Sequence, residues 1–382
     1  MLEARPRVPS FADVDEAKDA LRKKDNFIPA DLYPRDGTVE LSRLEAQYAE
    51  FVGLTEGSLL LYNSGMSAVV EAIESGYPTK DDVIAHGNQL YSQSTRYISE
   101  QLRKRGVKPV VFNAGSVDEI DLTIKRHRPK IVFLETVANA PDMSVLDLEG
   151  FLALESVNDV NPLIILDNTV PTPSVLPLEP VLGSHDLRIL VVESGTKSYA
   201  LNRELLGLVY GNDEKVMGPI RERRRTTGTL LSNSAIEVIG EASFATKEEF
   251  DERNRRGVSN TLQLARAVFD GIQGSSRFLV SHPNLENHAN FEYARSKFPD
   301  GCSLVFFVQC INDMDQFQLT EALWDSEVIR RHCELGQSFA FDRTRIWPDA
   351  NFPTVRISGG VESPGDIEAL SLEFSNVLKS LN

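Results

Sequence analysis

The stretch Val191-Val-Glu-Ser-Gly-Thr-Lys197 runs from an apolar segment into small hydroxyl residues and then a lysine. The run Ile189–Val192 has no polar alternation, which is the pattern of a strand buried on both faces by helices. The same pattern repeats outward from it. Strand candidates precede it at Ser58–Tyr62, Asp82–Ala85, Lys108–Phe112, Lys130–Leu134 and Leu163–Leu166, and Leu205–Tyr210 follows. Helical stretches separate them, among them 42–53, where Leu44, Tyr48, Phe51 and Val52 recur before Gly53, and Gly65–Ile73. This alternation predicts an α/β fold with a mostly parallel central sheet and helices on both faces. A charged helix over Lys247–Asp270 presents Leu262, Ala265, Val268 and Phe269 on one face. Strands at Ser303–Gln309 and Thr354–Ser358 and a terminal helix from Pro364 make a smaller α+β domain. The expected organisation is an arm and helix over 1–54, a large domain over 55–245 and the smaller one over 246–382. The arm carries a short helix near Val14–Lys24.

With 382 residues, the chain has room for two or three domains at ~150 residues each. Forty Lys and Arg against 56 Asp and Glu leave a net charge of −16, which repels phosphate backbones and anionic lipid. No nucleic-acid or membrane partner is therefore expected. The short basic run Arg221–Arg225 reads as a solvated helix face or a subunit contact. No apolar window reaches ~18 residues, and the charged N-terminus lacks the apolar core of a signal peptide. Three cysteines (Cys302, Cys310, Cys333) without a Cys-x-x-Cys spacing suit a reducing cytoplasm. The six histidines, His86, His127, His185, His282, His288 and His332, show no ligand spacing. They read as surface or turn residues, and no metal site is expected.

Open α/β sheets bind ligands at the carboxyl ends of their strands. Asn63-Ser-Gly-Met-Ser67 places a glycine turn and a helix N-terminus there, an arrangement that suits a phosphate or a plain structural turn. Leu166-Asp-Asn-Thr169 puts an acid at the end of a buried run, either as a helix cap or as the partner of a cation. Ser194 and Thr196 can hold a phosphate beside the Lys197 amine, which can form a Schiff base. A phosphate cup, an acid and an amine in this order outline the needs of pyridoxal phosphate (PLP).

Nearly the whole chain from residue 33 resembles the Cys/Met-metabolism PLP enzymes of fold type I, the group of cystathionine γ-synthase, cystathionine γ-lyase and methionine γ-lyase. The resemblance is carried by Tyr33-Pro-Arg35, Leu44-Glu45, Ser64-Gly65-Met66, Tyr91 within Asn88–Ser94, Glu135–Ala140, Asp167–Thr169, Ser194–Lys197, Pro283–His288 and Val355–Asp366. It implies that Lys197 holds PLP and moves protons, and that Asp167 faces the pyridine nitrogen. It also implies that Ser64, Gly65, Met66, Thr169, Ser194 and Thr196 surround the cofactor and that Tyr91 stacks on its ring. Tyr33 and Arg35 would reach the phosphate of a neighbouring subunit, making a homodimer the minimal active unit and a homotetramer the expected assembly. Asn139 would contact the ring and the substrate, and Arg356 would clamp the substrate α-carboxylate.

The implied reaction is elimination or replacement at Cγ or Cβ of an L-amino acid, through a quinonoid or vinylglycine-type intermediate. A non-catalytic scaffold is the alternative class, and intact Lys197, Asp167 and Arg356 oppose it. The sequence departs from the family where Val137 and Ala140 stand for prolines, where Ser198 and Leu201-Asn202 follow the lysine, and at Glu193 and Glu334. These departures point to a specialised substrate. Acids at 193 and 334 facing the pocket would favour a cationic substrate such as S-adenosylmethionine, unless they pair with a protein cation such as Arg203 or Arg343.

Overall fold

The computed structural model describes residues 37–184, 186–211, 213–242, 244–311, 315–350 and 352–381. The expected helix near Val14–Lys24 and the pair Tyr33 and Arg35 lie outside the described residues.

Seven strands form the first sheet: β1 (Leu59–Tyr62), β2 (Val83–Gly87), β3 (Lys108–Phe112), β4 (Ile131–Glu135), β5 (Leu163–Asp167), β6 (Arg188–Glu193) and β7 (Gly207–Tyr210). Their order is β1-β7-β6-β5-β4-β2-β3. Strands β2 to β6 pair in parallel, and β7 runs antiparallel to both of its neighbours. β1 therefore points the same way as β6, and its C-terminal end joins theirs at one edge. The unbroken Val/Ile/Leu runs of β4 and β5 are buried throughout, as the sequence pattern requires. β7 starts two residues later than expected because the Leu206 amide donates to the Thr196 hydroxyl at 2.9 Å instead of joining the ladder.

Helices cover both faces. Helix α1 (Val39–Phe51), capped by Thr38, buries Tyr48 and Phe51 against Tyr199 and Phe250, with ring centroids 4.7–5.1 Å apart for Tyr48–Tyr199, Phe51–Phe250 and Tyr199–Phe250. Helix α2 (Gly65–Ser75) follows β1 directly. The basic run lies on helix α3 (Glu214–Thr227); Arg225 is exposed, whereas Arg223 and Arg224 are tied to the body. Arg224 is buried, donating to the Leu61 carbonyl at 3.0 Å and to Glu45, whose carboxylate also accepts from the Leu61 amide at 2.9 Å. Arg223 reaches Glu71 at 3.1 Å. The Leu44-Glu45 motif is thus a structural clamp between α1, β1 and α3.

The long helix α4 (Lys247–Gly271) leads into a second sheet: β8 (Phe278–Ser281), β9 (Phe306–Cys310), β10 (Cys333–Leu335), β11 (Thr344–Pro348) and β12 (Thr354–Ser358), in the order β10-β11-β12-β9-β8. It is antiparallel except for β10 beside β11. The terminal helix α5 (Pro364–Leu381) packs its Leu370, Phe374 and Leu378 into the same core as Ala265 and Val268 of α4. β9 begins at Phe306 and not at Ser303, because the Ser303 hydroxyl closes a local turn on Val305.

Two histidines differ from the sequence expectation. His86 lies buried within β2, and His282 is buried just after β8. Burial pushes the His282 imidazole down to about 3, so it is neutral, with Nδ1 accepting from the Asn284 amide at 3.1 Å. No helix among the described residues is long and apolar enough to cross a membrane. Nor does any group of three or more His, Cys, Asp or Glu among them sit so as to hold a metal ion.

Candidate active site

The carboxyl ends of β4, β5 and β6 and the turn after β1 surround a cavity of about 390 Å³, closed on the other side by β12 and the segment 337–339. Side chains alternate along a strand, so register decides which of them enter it. Glu135 pairs with Asp167, and Asp167 with Val192. Glu135 and Asp167 share the cavity face. Asn168 and Glu193, one position on, point through the sheet to the opposite core.

At one end of the cavity, the Ser64 hydroxyl accepts from the Ser67 amide at 3.0 Å and caps α2. The amides of Gly65 and Met66 then start the helix with no carbonyl inside it to receive them. Two glycines make this turn possible. A Cβ on Gly65 would lie 2.9 Å from the Ser194 Cβ, and one on Gly207 would fall 2.1 Å from the Ser64 carbonyl oxygen. The helix start is thereby pressed against Ser194. Thr196 lines the same end, but its hydroxyl donates to the Leu206 carbonyl at 3.3 Å.

Lys197 sits on the single helical turn Gly195–Ser198, where Nζ donates to the Ser194 hydroxyl at 2.8 Å. Burial and the nearby Arg356 charge push its amine down to about 8, and Asp167 opposes the shift. Asp167 is buried, and that burial raises its carboxyl; the Thr169 hydroxyl and amide hold it, the amide at 3.0 Å. Thr169 also accepts from the Ser194 amide at 2.9 Å, tying the acid to the lysine segment.

Across the cavity, Arg356 on β12 donates to the Asn139 side-chain oxygen at 3.3 Å and to the Gln337 carbonyl. Burial lowers it, but a guanidinium stays charged at any ordinary pH. The Lys197 amine and the Arg356 guanidinium stand 5.3 and 5.9 Å from the centroid of Phe339. Tyr91 forms part of the rim and is 45% exposed. The loop that lacks prolines at 137 and 140 closes instead as a small hairpin, with Val137 bridged to Val145 and the Ala138 amide on the Ser144 carbonyl at 2.9 Å.

The structure thus brings Ser64, Gly65, Met66, Tyr91, Asn139, Asp167, Thr169, Ser194, Thr196, Lys197 and Arg356 around one cavity. Two expected substrate contacts do not line it. Glu193 is 3% exposed and lies beneath the sheet, where it accepts from Tyr210 at 2.6 Å and Tyr199 at 3.0 Å. Glu334 sits on the edge strand β10 and pairs with Arg345 at 2.9 Å, whose guanidinium covers the Phe341 ring. Neither acid is paired with Arg203 or Arg343 among the described residues, and neither presents its carboxyl to the cavity. The expectation of a cationic substrate loses its basis. Conversely, Glu135, Gln337, Ser338 and Phe339 line the cavity without having been singled out. Glu135 ends an apolar run as Asp167 does, and that signal was available. The 337–339 segment is irregular chain some 140 positions after Lys197 and carried none.

The profile of the Cys/Met metabolism PLP-dependent enzyme family matches residues 10–369. The chain belongs to that family. It is therefore a PLP-dependent enzyme of fold type I, and the pieces of the cavity fit the cofactor. A buried carboxyl without an ion-pair partner among the described residues suits a pyridinium. A half-buried lysine whose amine is lowered suits an aldehyde, and a helix start beside a serine suits a phosphate. The fold agrees with solved structures of low identity. MetB from Corynebacterium glutamicum matches with a TM-score of 0.75 at 21% identity, covering 94% of this chain and 89% of that one. A cystathionine gamma synthase from Xanthomonas oryzae pv. oryzae, in complex with aminoacrylate and cysteine, matches with a TM-score of 0.73 at 18% identity, covering 92% and 88%. A metY protein from Campylobacter jejuni subsp. jejuni, which carries an N'-pyridoxyl-lysine-5'-monophosphate, matches with 0.72 at 17%, covering 97% and 92%. No curated protein matches the chain significantly by sequence.

Proposed function

We propose that this enzyme removes or replaces a substituent at Cγ or Cβ of an L-amino acid. The observation that carries the reading is the cation pair Lys197 and Arg356, both half-buried in the cavity wall and both within 6 Å of the centroid of Phe339. An α-carboxylate held by the Arg356 fork, with Asn139 beside it, leaves the amino group and Cα facing Lys197. When bound, PLP supplies an electron sink for the charge left as a proton leaves Cα. Lys197 anchors the cofactor, and its amine, once displaced, takes the Cα proton and can carry it onward. Its lowered affinity for protons makes it a base close to neutral pH. Asp167 holds the pyridine nitrogen in its protonated form. The amides of Gly65 and Met66, with Ser64 and Ser194, receive the phosphate, and Thr169 and Thr196 fix the segments beside it. Tyr91, at the rim, would cover the ring and could give a proton to a leaving group.

The rim of the cavity supports a shared site. Tyr91 and Leu205 are 45% and 58% exposed there, and Tyr33 and Arg35 match residues that act across an interface in the family. We read the active unit as a homodimer, with a homotetramer as its further assembly and the cytoplasm as its compartment.

The test is a panel of L-amino acids bearing leaving groups at Cβ or Cγ, scored for the α-keto acid and for the released group. Wild type should turn over at least one of them, and Lys197→Ala none. Keto-acid formation that requires a second keto acid as acceptor, with no group released, would mark amino transfer and overturn the reading.

A further inference from the structure

Glu135 has a place in the site that no step above uses. Its carboxyl is buried at the end of β4, beside Asp167 in register. One of its oxygens accepts from the backbone amide of Tyr91, 44 positions earlier, and the other accepts from the amide of Asn139 at 3.0 Å. The two amides belong to separate segments of the cavity lining. Tyr91 opens the helical turn Ser92–Arg96, while Asn139 lies in the 136–146 hairpin and touches Arg356.

We propose that Glu135 is a positioning residue: by holding both amides it sets the gap between the Tyr91 wall and the Asn139–Arg356 wall, and with it the angle at which an amino acid meets Lys197. This rests on the reading of the cavity given under the proposed function. The choice of an acid is otherwise hard to explain. Burial and the charge of Asp167 push its carboxyl up to about 8, against the pull of the two amides. Glutamine would avoid that penalty at the same size. It offers one acceptor oxygen, however, and would turn an N–H toward the second amide. Only the ionised carboxylate receives both, so the comparison with glutamine is made above pH 8.

The experiment uses the PLP-loaded enzyme, with L-norvaline, an amino acid without a leaving group, as the probe. Binding is read from the change in the visible band of the cofactor. Glu135→Gln should keep the cofactor band and the melting temperature close to wild type, yet weaken norvaline binding about tenfold, the scale of one hydrogen bond lost with a neighbouring donor left unpaired. Hydrogen exchange of the peptides holding Tyr91 and Asn139 should quicken in the variant, and Asp167 peptides should not change. Norvaline affinity equal to wild type in Glu135→Gln overturns the proposal. If that variant does not load cofactor, wild type alone decides: fast exchange at either amide overturns it, and slow exchange at both supports it. Arg356→Lys separates this inference from the reading beneath it. Unchanged norvaline binding in Arg356→Lys would sink the proposed function, whereas a loss there with none in Glu135→Gln would sink the positioning role alone.

Discussion

Glu193→Gln should stabilise the protein above neutral pH and do little in acid. The carboxyl lies wholly inside the core under β6, accepting from Tyr210 at 2.6 Å, from Tyr199 at 3.0 Å and from the Asn168 side-chain amide at 3.5 Å. Two effects compete. Desolvation favours the neutral acid, and the phenol and amide donors favour the carboxylate. Desolvation wins, raising the group from 4.5 to about 8. In the unfolded chain the proton leaves near 4.5 and in the folded chain near 8, so between those values the unfolded state binds fewer protons. Stability therefore falls as pH rises through this window, and the penalty is complete above 8 and absent below 4.5. At ~1.4 kcal/mol per unit the ceiling is about 5 kcal/mol, and relaxation of the core brings the expected figure to about 1–3 kcal/mol. Glutamine keeps the size and an acceptor for Tyr210, and does not titrate. Urea unfolding of the apo proteins at pH 5.5 and pH 8, at one protein concentration, gives the comparison. Glu135 titrates in both proteins, and the smaller coupling of Glu193 to Asp167 acts in the same direction as burial. A Glu193→Gln protein that loses stability relative to wild type on going from pH 5.5 to pH 8 would refute the reasoning, because the two tyrosines would then be holding an ionised carboxylate.

Two further outcomes follow from the cavity. Capture of PLP by the apo enzyme should speed up tenfold per pH unit and level off near 8, because the Lys197 amine is lowered to about 8 from 10.5; at pH 7 this makes its neutral fraction roughly 300 times that of an exposed lysine. Stopped-flow absorbance checks this, and a rate still climbing at pH 10 counts against it. Mixed Lys197→Ala and Arg35→Ala subunits, each inactive alone, should recover part of the wild-type activity through one intact composite site; demonstrated heterodimers without activity would remove the shared site.

Much of the fold could be read because the first sheet is made of local signals. Ile131–Leu134 and Leu163–Leu166 are unbroken apolar runs, and such runs are long enough to name and too apolar to face water. The second sheet was half hidden. β8 and β11 are short strands of mixed character at 278–281 and 344–348, and β10 has three residues that owe their extended form to pairing with β11. Pairing decides such strands, and the periodicity of either strand alone does not reveal its partner. The cofactor end of the site was legible for the same reason that the first sheet was. Each motif sits at the end of a readable strand, and the parallel order brings those ends together.

The substrate end is different, because proximity in sequence does not fix direction in space. Glu193 adjoins Ser194 and the lysine segment, yet the pleat sends it to the same side as Val191 and Leu166. The register needed to see this is contained in the spacing itself: Asp167 faces the cavity, Val192 is its partner, and 193 must then face away. The departure at 193 therefore concerns how the core beneath β6 is filled, with Tyr199 and Tyr210 supplying donors to an acid. Glu334 is a surface matter by the same logic, since the edge strand β10 lets it reach Arg345. Of the departures, Val137 in the hairpin lines the cavity itself, facing it together with the segment Gln337–Phe339. There Phe339 places an aromatic face against both cations, and Asn202 holds that segment through its contacts with Ser338 at 2.6 Å and the Phe339 carbonyl at 3.0 Å. Asn202, one of the residues that depart from the family after the lysine, thus acts on the cavity through this loop and not by lining it.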